Sequence, residues 1–167
     1  FDDFFDPLPK TEILVKQMQD VIAGLSIEEA LDEIKRLARE WRFQCEVQAL
    51  SHILHSADLG RDLSMIADIV ICAVHQLAVE DMQRRHGSID GESVILALGR
   101  LGISALTAHS DLDLLVVFQA KEDARSNGDR ALSAQAYFAR LTQTFVNWLS
   151  RPTGEGSLYE VDMRLRP

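Results

Sequence analysis

The sequence predicts an α+β fold, with a helical region over residues 1–88 followed by a small mixed sheet backed by one helix over residues 89–167. Three observations predict it. Up to residue 88 the apolar side chains recur every three to four positions. After the turn-rich "HGSIDGE" (86–92), the apolar runs shorten and become β-branched. The last stretch, "SLYEVDMRLR" (157–166), alternates from Tyr159 onward with the period of a half-buried strand.

Taken in order, residues 10–23 form a short helix. "SIEEALDEIKRLAREWRFQCEVQALSHIL" (26–54) opens with Ser26 and Glu29 at capping-box spacing. Leu31, Ile34, Leu37, Trp41 and then Phe43 or Cys45 follow on one apolar stripe. A second long helix is predicted after Gly60, with Asp62 as its N-cap, through "LSMIADIVICAVHQLAVEDMQRR". "SVILALGR" (93–100) reads as a strand ending at Gly99, "LGISALTAHS" (101–110) as a loop, and "DLDLLVVF" (111–118) as a strand. The polar "QAKEDARSNGDR" (119–130), with its Asn-Gly pair, is a surface loop. Residues 131–150 are an amphipathic helix with Ala134, Phe138, Leu141, Phe145 and Leu149 on one stripe.

With 47% hydrophobic and 26% charged residues, the composition is that of a globular protein. The net charge of −9 argues against nucleic acid as a partner, because phosphate contacts need a basic face. The apolar run "MIADIVICAV" (65–74), broken by Asp68, is too short to span a bilayer, and "FDDFFDPLPK" is no targeting peptide. Cys45 and Cys72 read as free, buried thiols of a cytoplasmic protein. The chain starts without Met and stops in a strand pattern, so a fragment of a longer protein is expected.

The chemistry concentrates in "AHSDLDLLVVF" (108–118). On a strand, residues i and i+2 share a face about 6.5–7 Å apart. Asp111 and Asp113 therefore stand together while Leu112, Leu114 and Val116 point into the core. The last strand sorts likewise, with Glu160, Asp162, Arg164 and Arg166 on its polar face. If the two strands are neighbours, Asp162 joins the pair. Converging carboxylates repel unless a divalent cation lies among them, and hard oxygen donors suit Mg²⁺ or Mn²⁺ with substrate phosphates. Gly99 and Gly102 allow a close approach of backbone N–H groups to a phosphate, and Arg100, Arg164 and Arg166 are candidates to offset its charge. Arg164 and Arg166 serve equally well to neutralise Glu160 and Asp162.

"LGRLGISALTAHSDLDLLVVF" (98–118) closely resembles the signature of the glutamine synthetase adenylyltransferases, bifunctional regulators with two nucleotidyltransferase units of the DNA-polymerase-β-like fold. "EGSLYEVDMRLRP" (155–167) is similar to that family's third-aspartate strand. "LDEIKRLAREWRFQCEVQAL" and "DLSMIADIVI" are similar to the helical segment preceding the transferase core. The resemblance spans residues 28–167, and the wording of the motifs is closer to the C-terminal unit, which attaches AMP to a tyrosine of glutamine synthetase; the other unit removes it by phosphorolysis.

The resemblance implies ATP as substrate, Asp111 and Asp113 as ligands of Mg²⁺ or Mn²⁺, and Asp162 as the third carboxylate, placed to ligate the metal or to accept the proton of the attacking tyrosine hydroxyl. It places Gly99 and Ser110 along the phosphates. It also implies regulation of nitrogen assimilation, with a PII-type signalling protein acting through regions outside these residues. Three positions depart from the pattern: Arg100 for Lys, Ile103 for Gly and Ala105 for Glu. A β-branched residue resists positive φ, so Ile103, together with Ala105, motivates an alternative, a degenerate nucleotide-binding module without turnover. A third reading is a related nucleotidyltransferase acting on another signalling protein.

The remaining candidates have plainer explanations. His52, His55 and Cys45 match no zinc spacing. His109 reads as an exposed loop residue, Trp41, Phe43 and Trp148 as core, and Asp2, Asp3 and Asp6 as a solvated terminus.

Overall fold

The computed structural model describes residues 5–152 and 158–162. Its elements run α1 (Thr11–Ile22), α2 (Ile27–Leu50), α3 (Ser56–His86), β1 (Gly91–Ala97), the single turn α4 (Gly99–Gly102), β2 (Leu112–Ala120), α5 (Ala134–Ser150) and β3 (Val161–Asp162). This is the predicted α+β arrangement, with a three-stranded mixed sheet in the order β1-β2-β3. β1 and β2 are antiparallel, and β3 lies parallel to β2 on its other side.

α2 starts where its capping box places it. The Ser26 hydroxyl accepts the Glu29 N–H at 3.4 Å, and the Glu29 carboxylate accepts the Ser26 N–H at 2.9 Å. Its stripe of Leu31, Ile34, Leu37 and Trp41 is buried and continues through Cys45. Phe43 turns outward and is 60% exposed, so it is not core.

α3 begins earlier than predicted, at Ser56 with His55 as N-cap, and both Gly60 and Asp62 lie inside it. Gly60 marks a crossing, not a start. A Cβ there would lie 3.2 Å from the Cα of Ala105, so the loop after α4 passes directly over the helix. The Ser64 hydroxyl accepts the Leu106 N–H at 3.2 Å, which fastens the same loop. By length and composition α3 is apolar enough to cross a membrane, but half of its apolar window is buried inside the fold.

One core joins the helices to the sheet. Ile66, Val70 and Val74 of α3 are buried together with Phe138, Leu141 and Phe145 of α5 and Leu112 and Leu114 of β2. All five predicted stripe residues of α5 are buried. Phe138 stacks on Phe118 with ring centroids 4.8 Å apart. The opposite sheet face carries exposed Val94, Leu96, Leu98 and Val117. Helices therefore cover one face of the sheet, as expected, and leave the other open. β1 stops at Ala97, short of the predicted end at Gly99, because the chain there turns into α4. Of the predicted strand 157–166, Val161–Asp162 form β3 beside β2, residues 158–160 are not strand, and positions 157 and 163–166 lie outside the described residues.

The two thiols differ. Both are free, but Cys45 is buried and Cys72 is exposed, so the prediction of two buried thiols holds for Cys45 alone. Burial, reinforced by Asp62 and Glu46, pushes the Cys45 thiol up to about 12. Burial and Asp68 push the Cys72 thiol up as well, so exposure is what separates the two: a maleimide or disulfide reagent labels Cys72 in the native chain and reaches Cys45 only after unfolding, as peptide mapping will register. Phe145, fully buried and edge-on to His75 at 5.7 Å, is a keystone between α3 and α5. Phe145→Ala is expected to cost about 3–5 kcal/mol in denaturant unfolding.

Candidate active site

The site is built on the parallel pairing of β2 and β3. Leu112 and Leu114 are buried, which forces the alternate positions Asp111 and Asp113 to the open face. In the register of the parallel pair, Asp113 stands beside Asp162 and Leu112 beside Val161. The Leu112 N–H donates to the Glu160 carbonyl at 2.9 Å. Neighbouring strands lie about 4.8 Å apart, so the two carboxylates are held on adjacent strands of one face.

Gly99 closes the site from the β1 side. Its φ of +54° is left-handed, and a Cβ there would fall 2.1 Å from the Oδ2 of Asp113. Both facts disfavour a side chain at this position. The Leu98 N–H donates to the Asp113 carbonyl at 2.9 Å, tying the backbone of the turn to the strand that carries the carboxylate. Gly102 acts differently. Its N–H donates to the Leu98 carbonyl at 2.9 Å, and a Cβ would come within 2.7 Å of the Ala97 carbonyl. What the glycine supplies is room for α4 to fold back on β1.

The loop from α4 to β2 carries the rest. Ile103 has φ −105°, an ordinary conformation for a β-branched residue, and its side chain is 75% exposed. The left-handed residue is the next one, Ser104, with φ 54°. The positive φ feared at Ile103 is absent. Further on, the Ser110 hydroxyl accepts the Thr107 N–H at 3.0 Å and meets the Thr107 hydroxyl at 2.8 Å, closing a tight turn before Asp111.

Together these segments line a cavity of about 430 Å³. Asp111, Asp113 and Asp162 face it, with Arg100, Ser110, Thr107 and His109 around them. Of the predicted residues, Asp111, Asp113, Asp162, Arg100 and Ser110 are thus brought together. Gly99 abuts Asp113, Gly102 shapes the turn, and Arg164 and Arg166 lie outside the described residues. Thr107 was missed by sequence reading, although a Thr three residues before a Ser is a legible turn signal. A second cavity of about 340 Å³ opens beside the first, sharing His109, Ser110 and Asp111 and bounded by Arg42, Leu158 and Tyr159. A larger cavity of about 510 Å³ lies at the far end of the β1–β2 hairpin, where Asp90 already pairs with Lys121 at 3.1 Å. It gathers no set of reactive groups comparable to the first.

The donor chemistry suits a hard divalent cation. Among the described residues no three carboxylate, imidazole or thiol groups form a ready-made metal site. Two carboxylates on adjacent strands, with the third at the strand entrance, match the way Mg²⁺ is usually bound, through one or two carboxylates, waters and substrate phosphates. The residues fit such an ion without enclosing it.

A sequence profile described as glutamate-ammonia ligase adenylyltransferase matches residues 2–167. The chain belongs to that family. Relatives named "bifunctional glutamine synthetase adenylyltransferase/adenylyl-removing enzyme" include one from Brucella suis, 36% identical over the whole chain, and one from Mesorhizobium japonicum, 38% identical over the whole chain. The relative from Caulobacter vibrioides is 35% identical over 98% of the chain. The chain spans 18%, 18% and 16% of their respective lengths. The resemblance read from three separated motifs is therefore a family membership.

At this site, Gly99 is a position poorly able to accept a methyl group. Gly99→Ala is expected to destabilise the chain by about 1–2 kcal/mol through its left-handed backbone alone. The clash with Asp113 adds to that, and a shift of the denaturant midpoint measures the sum.

Proposed function

We propose that this chain contributes the nucleotidyltransferase core of a glutamine synthetase adenylyltransferase, transferring AMP from ATP to a tyrosine of the synthetase. The observation that carries the reading is the register of β2 and β3, which sets Asp162 beside Asp113 on the face shared with Asp111, in a cavity with Arg100. Family membership supplies the reaction class, and the names of the relatives supply the protein substrate.

Asp111, Asp113 and Asp162 would hold Mg²⁺ or Mn²⁺ there. When bound, the cation supplies charge neutralisation between the carboxylates and the triphosphate. Asp162 accepts the proton of the incoming tyrosine hydroxyl. The tyrosine oxygen forms its bond to the α-phosphorus as the bond to the bridging oxygen breaks, and pyrophosphate leaves with that electron pair. Arg100 and the Ser110 turn orient the phosphates, and Arg100 offsets charge on them. With inorganic phosphate as nucleophile, the same arrangement removes AMP as ADP and returns the proton to the tyrosine oxygen. We assign the forward transfer to this unit. Control by a PII-type protein would act through parts of the protein outside these residues. The ordinary backbone at Ile103 favours the catalytic reading over a non-catalytic nucleotide-binding module.

Incubating the full-length protein with labelled ATP, Mg²⁺ and glutamine synthetase tests this. The label is expected on the synthetase, and Asp111→Asn combined with Asp113→Asn lowers its rate by about 10²-fold or more. Metal-dependent ATP binding without transfer of label would point to the non-catalytic module. Equal labelling by the double variant would remove the carboxylates from the chemistry.

A further inference from the structure

β3 meets β2 through a short described pairing, Leu112 with Val161 and Asp113 with Asp162. A slip of one residue would turn Asp162 toward the helices and bring Val161 to the open face. A group that bonds both segments from outside the sheet opposes such a slip.

Arg42, from the C-terminal half of α2, reaches both. One terminal guanidinium nitrogen donates to the Ala108 carbonyl at 2.8 Å, three residues before Asp111. The other donates to the Leu158 carbonyl at 3.1 Å, four residues before Asp162. The guanidinium also lies 5.1 Å from the centre of the Tyr159 ring, and Glu46 Oε1 is 4.0 Å away. The side chain is only 16% exposed, so its fork is held by packing as well as by the two carbonyls. A planar fork with two divergent donors can fix the spacing of two backbone segments; a single ammonium cannot.

We propose that Arg42 is a positioning residue that sets the register in which Asp162 meets Asp111 and Asp113, by holding the carbonyls of Ala108 and Leu158 in one guanidinium fork. This rests on the carboxylates being the metal-nucleotide site. The helical region then does more than support the sheet: it reaches into the site and aligns its third carboxylate.

The test uses the full-length protein with Mn²⁺ and a non-hydrolysable ATP analogue, reading bound Mn²⁺ from loss of the free-ion electron paramagnetic resonance signal. Arg42→Gln is expected to weaken Mn²⁺ binding about tenfold or more, as removal of an outer partner of metal ligands generally does. Amide exchange at Leu112, whose N–H is held by the Glu160 carbonyl, accelerates in parallel. Arg42→Lys keeps the charge but not the fork, so it falls with Gln; it also carries the test if the Gln variant does not fold. Ser26→Ala, which removes the cap of the same helix, lowers the thermal midpoint and leaves Mn²⁺ affinity unchanged. Wild-type Mn²⁺ affinity and Leu112 protection in both Arg42 variants would overturn the proposal. So would a loss of Mn²⁺ affinity in Ser26→Ala that scales with stability as it does in the Arg42 variants. If Asp113→Asn binds Mn²⁺ like the wild type, the site itself is misread and the proposal falls with it, by a result that does not involve Arg42.

Discussion

Asp113 and Asp162 are like charges on neighbouring strands in direct register, an arrangement that destabilises a sheet unless something compensates it. The surrounding structure gives them little freedom to separate. Leu112 and Leu114 anchor β2 in the core on either side of Asp113. Gly99 brings the turn after β1 so close that a single methyl group would collide with the Asp113 carboxylate. Two carboxylates held this firmly on neighbouring strands are suited to a hard divalent cation. Under the proposed function, a divalent cation with a nucleotide phosphate would sit between them, and the rigidity would serve to place it.

The rigidity comes from the helical layer. α3 accepts the α4–β2 loop against Gly60 and binds Leu106 through Ser64. α2 reaches further, with the Lys35 ammonium on the Arg151 carbonyl at the end of α5 and Arg42 on Ala108 and Leu158. Lys35 and Arg42 are two helical turns apart and therefore share one face of α2. That face approaches both ends of the connection between α5 and β3. Burial lowers the Lys35 pKa, yet the nearby Asp32 favours its charged form, consistent with a cation kept for a carbonyl at a helix end. The helices and the sheet share a core, and they also share the task of placing carboxylates.

Much of this was legible from residue patterns. The capping box at Ser26, the α5 stripe and the alternation around Asp111 and Asp113 are local signals, and each led to the element observed. The errors have physical causes. Gly60 and Asp62 read as a helix start because glycine and aspartate favour helix ends, but Gly60 is demanded by the close passage of Ala105, a contact distant in sequence. Phe43 fitted the apolar period as well as Cys45 did, and only the packing of α2 against its neighbours decided between them. The concern over Ile103 came from a motif position, whereas the left-handed conformation falls one residue later, on Ser104. The partnership of Asp113 with Asp162 was visible as a possibility, since both lie on polar strand faces, but strand order and register are not local properties. Arg42 carried no signal at all: a long charged side chain among the exposed charges of a helix gives no sign that it forks onto two distant carbonyls.

The central claim is that the face bearing Asp111, Asp113 and Asp162 holds a divalent cation together with ATP. Its most direct test is crystallographic, on the full-length protein grown with Mn²⁺ and a non-hydrolysable ATP analogue, using the anomalous signal of the metal. The account predicts a manganese peak within bonding distance of at least two of the three carboxylates, with the nucleotide phosphates on its other side. Nucleotide bound elsewhere, or manganese absent from this face at saturating concentration, would contradict it.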